Sequence, residues 1–392
     1  MRILSSRKDV TLLLTLFLME FARGAFFLTF LPLYAVNILN ISIATAAMAV
    51  SAHYTVETAC KTAAGWQLDR KGKPVLLGGL ILGLAALILI KSYPCTPVLI
   101  AGSALLGLGA SPVWLAVMSK VAPVKAKDRA SRVGTVFAVW LAGGGGGPVA
   151  VNFFISKGFP LAFWFLTSLW CACLVLALSL PPEPPSGQLT ERTSFKGEVA
   201  RLVQNRAVKN LLLPGMFVQT ASAGLLLPLL PVYAQDKIGL SPNQYAFLLL
   251  AGGAAAAVSF VPAGHLAVKF RLKTLLGAGF GLTAVSLALF SLAKGAKSAY
   301  LLAALTGLSY AVILPSWNNL LAKTISPQSQ ATGWGVFATI EGLGVAAGPA
   351  IGGLAARFLS ITAAILLSAA VMGLMSCFYF IYPIEKFFSG EK

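Results

Sequence analysis

The chain has few charged residues: they make up 11% of its 392 positions, whereas about a quarter of a soluble domain is charged. Hydrophobic residues account for 57% of the chain, and the mean hydropathy is +0.82. A soluble fold could not bury that much apolar surface. Apolar stretches long enough to cross a bilayer, about 20 residues each, recur along the whole chain, which excludes a single cleaved signal segment.

Residues that build metal and catalytic sites are also scarce. The sequence has two histidines, 12 acidic residues and five cysteines, and the cysteines lack the spacing of metal ligands. Without clustered carboxylates or paired histidines, a lipid-modifying membrane enzyme is disfavoured, and no cofactor or metal is expected. The net charge of +18 is spread over short loops rather than gathered on one face, which argues against nucleic acid as a partner.

The apolar runs, broken at charged or Pro/Gly-rich loops, predict an all-α polytopic membrane protein with twelve transmembrane helices. The predicted helices span residues 10–36, 42–69, 74–93, 96–121, 130–157, 160–181, 209–236, 242–268, 272–294, 297–324, 329–357 and 360–384. They form two six-helix halves, residues 1–181 and 209–392. Residues 182–208 between the halves predict a cytoplasmic linker with an amphipathic helix on the membrane surface.

The basic residues predict a multi-pass protein of the cell membrane with both termini in the cytoplasm. This orientation places 22 of the 30 lysines and arginines inside and six outside, and leaves Arg23 and Lys61 within helices. Both termini on one side require an even number of helices, as predicted. We expect a monomer surrounded by membrane lipids.

A glycine–proline motif occurs at matching places in the two halves. Gly143 and Gly147-Pro148 in the fifth helix are repeated as Gly344 and Gly348-Pro349 in the eleventh, 201 residues later. Because small residues let helices approach closely, both stretches predict tight helix packing. A duplicated six-helix unit is also how many transporters are built.

The loop after the second helix reads Gly65-Trp-Gln-Leu-Asp69-Arg70-Lys71-Gly72-Lys73. It resembles the signature loop of the major facilitator superfamily, and the resemblance implies that Gly65, Asp69, Arg70 and Gly72 form a conformational latch between helix ends. The counterpart at 264–273 lacks the acid, so we expect a weaker second latch. Membrane orientation alone, which makes cytoplasmic loops basic, is the alternative explanation. The Gly-x-x-x-Gly-Pro stretches are similar to the antiporter motif of the same superfamily.

Ionisable residues within the predicted helices are the candidate proton-coupling groups, because each costs roughly 2.5–3.5 kcal/mol at the bilayer centre. Glu20 and Arg23 are spaced i, i+3 on one helix face and can pair. His53, Glu57 and Lys61 form a stripe at i, i+4 and i+8 on the next helix. Structural ion pairs, with Lys61 neutralising Glu57 and His53 serving helix packing, are the alternative. Two charged sets in neighbouring helices favour a functional polar site.

Substrate contact is the second role that buried polar and aromatic side chains can serve. The candidates are Trp114, Trp140, His53, Gln219, Asn318 and Glu341. Aromatic rings stack on sugars and on apolar groups, although buried tryptophans often serve packing alone. The clustered charge lies in the first half, and in the second half Glu341 is the one charged residue that lies away from the ends of the predicted helices.

Four longer strings carry a more specific resemblance: Met19-Glu20-Phe-Ala-Arg23-Gly24, Ser111-Pro112-Val-Trp114, Leu314-Pro315-Ser-Trp317-Asn318, and Trp334-Gly335-Val-Phe337 with Gly348-Pro349. They are similar to the lipoteichoic-acid glycolipid flippases of Gram-positive bacteria. The resemblance implies a proton-coupled antiporter that flips a glycolipid by alternating access. It further implies that Glu20, Arg23 and Glu57 couple protons, that Trp114 and Trp140 line the sugar site, and that the second half receives the acyl chains.

The sequence departs from that family at two positions of the second helix: Glu57 replaces an aspartate, and Lys61 is added one turn later. The alternative function is a drug/proton antiporter that exports small lipophilic compounds. Such antiporters of the superfamily have an arginine in the fourth helix at the place of Ser103, which disfavours this alternative without excluding it.

Overall fold

The computed structural model describes residues 6–122, 129–181, 200, 202–324 and 330–384. Twelve long helical segments cross this part of the chain, and we number them α1 to α12. They are α1 (Arg7–Asn37), α2 (Ile43–Lys71), α3 (Lys73–Ser92), α4 (Thr96–Val121), α5 (Arg129–Ile155), α6 (Phe159–Leu178), α7 (Val208–Asp236), α8 (Pro242–Lys269), α9 (Leu272–Phe290), α10 (Ala296–Ala322), α11 (Gln330–Phe358) and α12 (Ile361–Ile381). The twelve predicted helices are confirmed, with ends that differ by a few residues.

Eleven of these helices are long and apolar enough to span a membrane, as judged over the described residues. The exception is α2, which has 29 residues but is too polar. His53, Glu57 and Lys61 all lie on this helix, together with a basic C-terminal turn. The least hydrophobic helix is therefore the one with the largest predicted charged stripe.

The first helix of each half is irregular at the same place. In α1, a π-helical turn at Phe26–Phe30 separates Arg7–Ala25 from Leu31–Asn37. In α7, the helix breaks between Leu226 and Leu230, 200 residues later. Wide π-helical turns such as that of α1 often occur near functional sites. The break in α7 is tighter, since Leu227 N–H donates to Gly224 O and Leu229 N–H donates to Leu226 O.

The chain divides into two compact units, residues 1–190 and 191–392. Most of the predicted linker, 182–199 and 201, lies outside the described residues, so its amphipathic helix stays a prediction. Within the first unit, α1 packs along α5, α2 along α4, and α3 against α4 and α6. Within the second unit, α7 packs along α11, α8 along α10, and α9 against α10 and α12. Each pairing recurs six helices later, as expected for a duplicated unit.

The repeated glycines lie where these helices touch most closely. A Cβ at Gly147 would overlap the carbonyl oxygen of Phe21, and one at Gly348 would lie 2.5 Å from that of Ala221. Gly143 and Gly344 make the same approach one turn earlier, to Glu20 of α1 and Thr220 of α7. The contacts therefore align α1 with α7 at an offset of 200 residues.

A single residue, Gly72, joins α2 to α3. Its φ of 63° and ψ of −132° lie where side chains with a Cβ are strained, and its N–H donates to the carbonyl of Leu68 at 2.8 Å. In the second half, two residues, Phe270 and Arg271, replace it with extended backbone. The turn that resembles the superfamily signature is therefore tighter in the first half than in the second.

Candidate functional site

Glu20 and Arg23 pair on α1, as their spacing predicts. Arg23 donates to Glu20 Oε2 through Nε at 3.0 Å and also through Nη2. One turn of helix separates the residues, so both side chains extend from the same face. This fork-like contact leaves Nη1 of the guanidinium for another acceptor.

That acceptor is on α2, where Arg23 Nη1 donates to Glu57 Oε2 at 3.0 Å. Lys61 Nζ lies 3.1 Å from the other carboxylate oxygen, Glu57 Oε1. The pairs on α1 and α2 are thus joined through Arg23 into one group, the charged cluster of Glu20, Arg23, Glu57 and Lys61. Its two acids and two bases have no net formal charge.

The cluster is buried except at Lys61. Glu20 is 3% exposed, and the side chains of Arg23 and Glu57 are 11% and 9% exposed, whereas that of Lys61 is 40% exposed. Removing charges from water costs several kcal/mol per ion, which only close pairing offsets. A buried cluster of this kind contributes little net stability, and its position in the middle of α1 and α2, away from the helix ends, favours a function.

His53 lies behind Glu57, one turn earlier on α2, and is fully buried. Its Nδ1 is 3.3 Å from the backbone carbonyl oxygen of Ser103 on α4, and its Nε2 is 3.6 Å from Glu57 Oε2. Phe27 of the π-helical turn stacks on the ring, with 3.9 Å between centroids and an angle of 26°. Gly107 permits this arrangement, because a Cβ there would overlap the carbonyl oxygen of His53.

Three neighbours of the cluster were not among the residues predicted for the site. Tyr54 presents its ring 5.5 Å from Arg23 Cζ, a cation–π distance. Phe27 and Ser103 orient the imidazole of His53. All three contacts cross between helices, so spacing within one helix could not reveal them.

Trp114 of α4 and Trp140 of α5 form an edge-to-face pair, with ring centroids 6.1 Å apart and planes at 70°. Both side chains are half-buried. Their positions 26 residues apart gave no sign of this contact, although both were predicted to bind substrate. Aromatic pairs of this geometry are worth about 0.5–1.5 kcal/mol beyond the area that they bury.

The second half has uncharged residues at the positions that match the cluster. Gly344 packs on Thr220 of α7 as Gly143 packs on Glu20 of α1, so Thr220 matches Glu20. By the same offset of 200 residues, Ala223 matches Arg23. Gly307 packs on α8 as Gly107 packs on α2, which aligns Gly252 with His53 and Ala256 with Glu57. By the same offset, Phe260 matches Lys61.

The remaining polar candidates of the second half differ in exposure. Glu341 on α11 and Asn318 on α10 are exposed. Gln219 on α7 has a buried side-chain oxygen without a hydrogen-bond partner in the described part of the chain. These three residues remain predictions for substrate contact.

Of the predicted latch, the structure describes the glycines. Gly72 makes the tight turn between α2 and α3, and Gly65 lies where a Cβ would be 3.4 Å from a side-chain methyl of Leu115 on α4. The side chains of Asp69 and Arg70 lie outside the described residues. Among the residues that the structure describes, no group of three His, Cys, Asp or Glu side chains could hold a metal ion.

The fold matches solved transporters. The human organic anion transporter MFSD10 (TETRAN) covers 95% of this chain, and the chain covers 99% of it, with a TM-score of 0.63 and 15% identity. The nucleoside transporter NupG covers 96% of this chain, and the chain covers 100% of it, with a TM-score of 0.73 and 14% identity. At these identities the likeness concerns the fold, and it confirms the predicted fold class.

Curated relatives are closer in sequence. The proton-coupled antiporter flippase LtaA of Staphylococcus saprophyticus is 33% identical over 390 residues, which are 97% of this chain and 96% of the relative. LtaA of Staphylococcus haemolyticus is 31% identical over 394 residues, or 97% and 95% of the two chains. LtaA of Staphylococcus aureus is 31% identical over 385 residues, or 96% and 95%.

The sequence model of the Major Facilitator Superfamily matches the chain twice, over residues 12–213 and 212–391. The two matches follow the duplication visible in the helix packing, and together they cover nearly the whole sequence. The protein is a multi-pass membrane transporter of the major facilitator superfamily.

Proposed function

We propose that this protein is a proton-coupled antiporter that flips a glycolipid-type substrate across the membrane. The observation that carries the proposal is the buried charged cluster on α1 and α2, whose counterparts in the second half are uncharged. A polar first half and an apolar second half suit a substrate with a sugar headgroup and acyl chains. The relatives named proton-coupled antiporter flippase support the same function.

In this proposal, protons and the lipid headgroup compete for the carboxylate oxygens of Glu20 and Glu57, and this competition couples the movement of one to that of the other. In the ionised cluster, Glu20 and Glu57 accept hydrogen bonds from Arg23, and their remaining lone pairs can accept from sugar hydroxyls. A proton bound to either carboxyl group removes an acceptor and weakens the pairing with Arg23. Because a proton and a sugar hydroxyl compete for the same oxygens, binding of one promotes release of the other.

The aromatic and apolar surfaces complete the proposed binding of the lipid. The paired rings of Trp114 and Trp140 contact the sugar, and Gln219, Asn318 and Glu341 contribute polar contacts from the second half. The acyl chains contact the apolar helices of that half. Alternating access then exposes the cluster to one side of the membrane at a time, with the loop from Gly65 to Gly72 as a latch.

The protein works as a monomer in the cell membrane, with both termini in the cytoplasm. The excess of basic residues in the loops assigned to the inside supports this orientation. Protons, the transported lipid and the surrounding membrane lipids are its partners in this proposal.

Reconstituted transport is the direct test of the proposed function. The purified protein in liposomes with an imposed pH gradient should translocate a fluorescent diacylglycerol-linked disaccharide, and the gradient should accelerate the transfer. Glu20→Gln and Glu57→Gln should abolish that acceleration. Asp236→Asn, which alters an exposed acid at the end of α7, is the matched control and should leave it unchanged.

Two outcomes would contradict the proposal. Gradient-driven glycolipid transport that is indifferent to Glu20→Gln and Glu57→Gln would refute the coupling role of the cluster. Proton flux that responds to lipophilic drugs, with no translocation of glycolipid, would establish the drug/proton antiporter instead.

A further inference from the structure

The imidazole of His53 is fixed in orientation by three helices. Its own helix, α2, is held against α4 at Gly107, and the carbonyl oxygen of Ser103 on α4 lies 3.3 Å from Nδ1. On the ring face, Phe27 of α1 stacks at 3.9 Å. No part of the residue is exposed, so the two ring nitrogens keep these environments in the conformation that the structure describes.

The contact with Ser103 determines which nitrogen bears hydrogen. A backbone carbonyl oxygen can only accept a hydrogen bond, so Nδ1 must be the donor. In a neutral imidazole, the other nitrogen then has a lone pair and no hydrogen. That nitrogen, Nε2, is the one that faces Glu57 Oε2 at 3.6 Å.

An ionised Glu57 would therefore place two acceptors opposite each other in a buried space. The 3.6 Å gap is too long for a hydrogen bond, and Nε2 has no hydrogen-bond partner among the described residues. One additional proton would convert the repulsion into a charge-assisted hydrogen bond, which is shorter, about 2.7–2.9 Å. The geometry thus has room for one proton between Nε2 and Oε2.

We propose that His53 and Glu57 together hold the transported proton, as a shared site between Nε2 and Oε2. This inference rests on the proposed function and deepens it, since it assigns His53 to the proton rather than to the substrate. When the proton arrives, it bonds to Nε2, and the new N–H donates a hydrogen bond to Glu57 Oε2. When it leaves to water, Glu57 returns to its contacts with Arg23 and Lys61, and the imidazole becomes neutral again.

The groups around this site are compatible with the binding and release of one proton. Glu20 and Arg23 face it from α1, and Tyr54, Glu57 and Lys61 face it from α2. From α4, the carbonyl oxygen of Ser103 faces the imidazole. The one charged residue of α4, Lys120, lies in the last turn of that helix. The unloaded cluster has no net formal charge, so the loaded state has one positive charge, which the face of the stacked Phe27 ring also favours.

Nitrogen-15 NMR of histidine-labelled protein in lipid bilayers tests the site without any transport. The chain has two histidines, so His265→Gln leaves His53 as the single signal. We expect Nδ1 to be protonated at every pH and Nε2 to change from bare to protonated as the pH falls. In a second protein that also has Glu57→Gln, the amide can donate to Nε2, and the pH-dependent change should disappear. A proton on Nε2 with a bare Nδ1, or a titration that Glu57→Gln leaves unchanged, would overturn the inference.

Transport then tests the role of the shared proton. His53→Gln should remove the acceleration by a pH gradient, measured as the ratio of glycolipid translocation with the gradient to translocation without it. Ser103→Ala is the matched control, because it removes the hydroxyl and keeps the backbone carbonyl that binds the imidazole. If His53→Gln retains the full response to the gradient, the inference is refuted.

The two experiments separate this inference from the proposed function. A protein that translocates no glycolipid would refute the proposed function, while the nitrogen spectra would still establish or refute the shared proton. The spectra of the His265→Gln protein leave His53 and Glu57 unaltered, so they decide the question even if His53→Gln does not fold.

Discussion

Arg23 of α1 donates to Glu57 of α2 at 3.0 Å while it also binds Glu20, so one guanidinium joins two carboxylates from two helices. Lys61 reaches the same Glu57 from the more exposed side. The two cations therefore share Glu57 but differ in burial and in the number of carboxylates that they bind.

Arg23→Gln should be far more destabilising than Lys61→Gln. Without Arg23, two buried carboxylates lose their shared partner, which costs about 3–5 kcal/mol. Lys61 is 40% exposed, so its pair with Glu57 is screened by water and its loss costs at most about 1 kcal/mol. The free energy of unfolding of each variant in detergent measures the difference. Equal losses for the two variants would show that the cluster is not organised around Arg23.

Gly147→Ala should disrupt the contact between α5 and α1. The new Cβ would overlap the carbonyl oxygen of Phe21, and such overpacking costs about 1–3 kcal/mol or more where backbone must move. Gly145→Ala is the matched control on the same helix, since nothing lies within 4 Å of a Cβ there. It should stabilise the helix by up to about 1 kcal/mol. Thermal unfolding of both variants decides the point, and a harmless Gly147→Ala would contradict the close approach.

Gly72→Ala should destabilise through the backbone alone. No atom lies within 4 Å of the added Cβ, but the φ of 63° is costly for a residue with a side chain, by about 1–3 kcal/mol. Gly78→Ala in α3 has the same open surroundings within a helix and should be neutral or stabilising. A similar melting temperature for the two variants would mean that the turn between α2 and α3 relaxes without cost.

Trp114 and Trp140 should act as a unit in binding the lipid headgroup. Because the rings pack edge to face, replacing either with alanine disturbs the other, and a double-mutant cycle on glycolipid affinity should give a coupling of about 0.5–1.5 kcal/mol. Trp164→Ala alters an exposed tryptophan of α6 and should leave affinity unchanged. Additive effects of Trp114→Ala and Trp140→Ala, or an equal effect of Trp164→Ala, would argue against a paired binding surface.

Cys95 reports the orientation of the protein in the membrane. It is exposed at the start of α4, in the loop that lies outside if both termini are cytoplasmic. A membrane-impermeant maleimide should therefore label intact cells at this position, and Cys95→Ser should abolish that labelling. Labelling that appears only after the cells are opened would reverse the proposed orientation.

The sequence predicted those parts of the fold and site that local spacing controls. Hydrophobic runs predicted the twelve helices, and helical periodicity placed Glu20 next to Arg23 and Glu57 next to Lys61. The contact of Arg23 with Glu57 spans 34 residues of sequence and depends on how α1 and α2 are rotated. The same holds for Tyr54, Phe27 and Ser103, whose roles follow from contacts between helices.

His53 shows the limit of spacing most clearly. Its position one turn before Glu57 placed it in the polar stripe, and we predicted it as a substrate ligand. The structure buries its ring between Ser103 and Phe27, where the surroundings are set by α4 and α1. The roles of the cluster and of the tryptophans remain proposals that the experiments above test, and the latch remains a prediction.

The polarity of α2 has a consequence for how the protein is made. Because α2 is less apolar than the other helices, it inserts poorly by itself. Each charged residue adds roughly 2.5–3.5 kcal/mol to the free energy of entering the bilayer centre. Arg23 on the preceding helix offers Glu57 a partner within the membrane. We therefore expect α1 to remain beside the translocation machinery until α2 emerges, so that the two helices enter the lipid together as a neutralised hairpin.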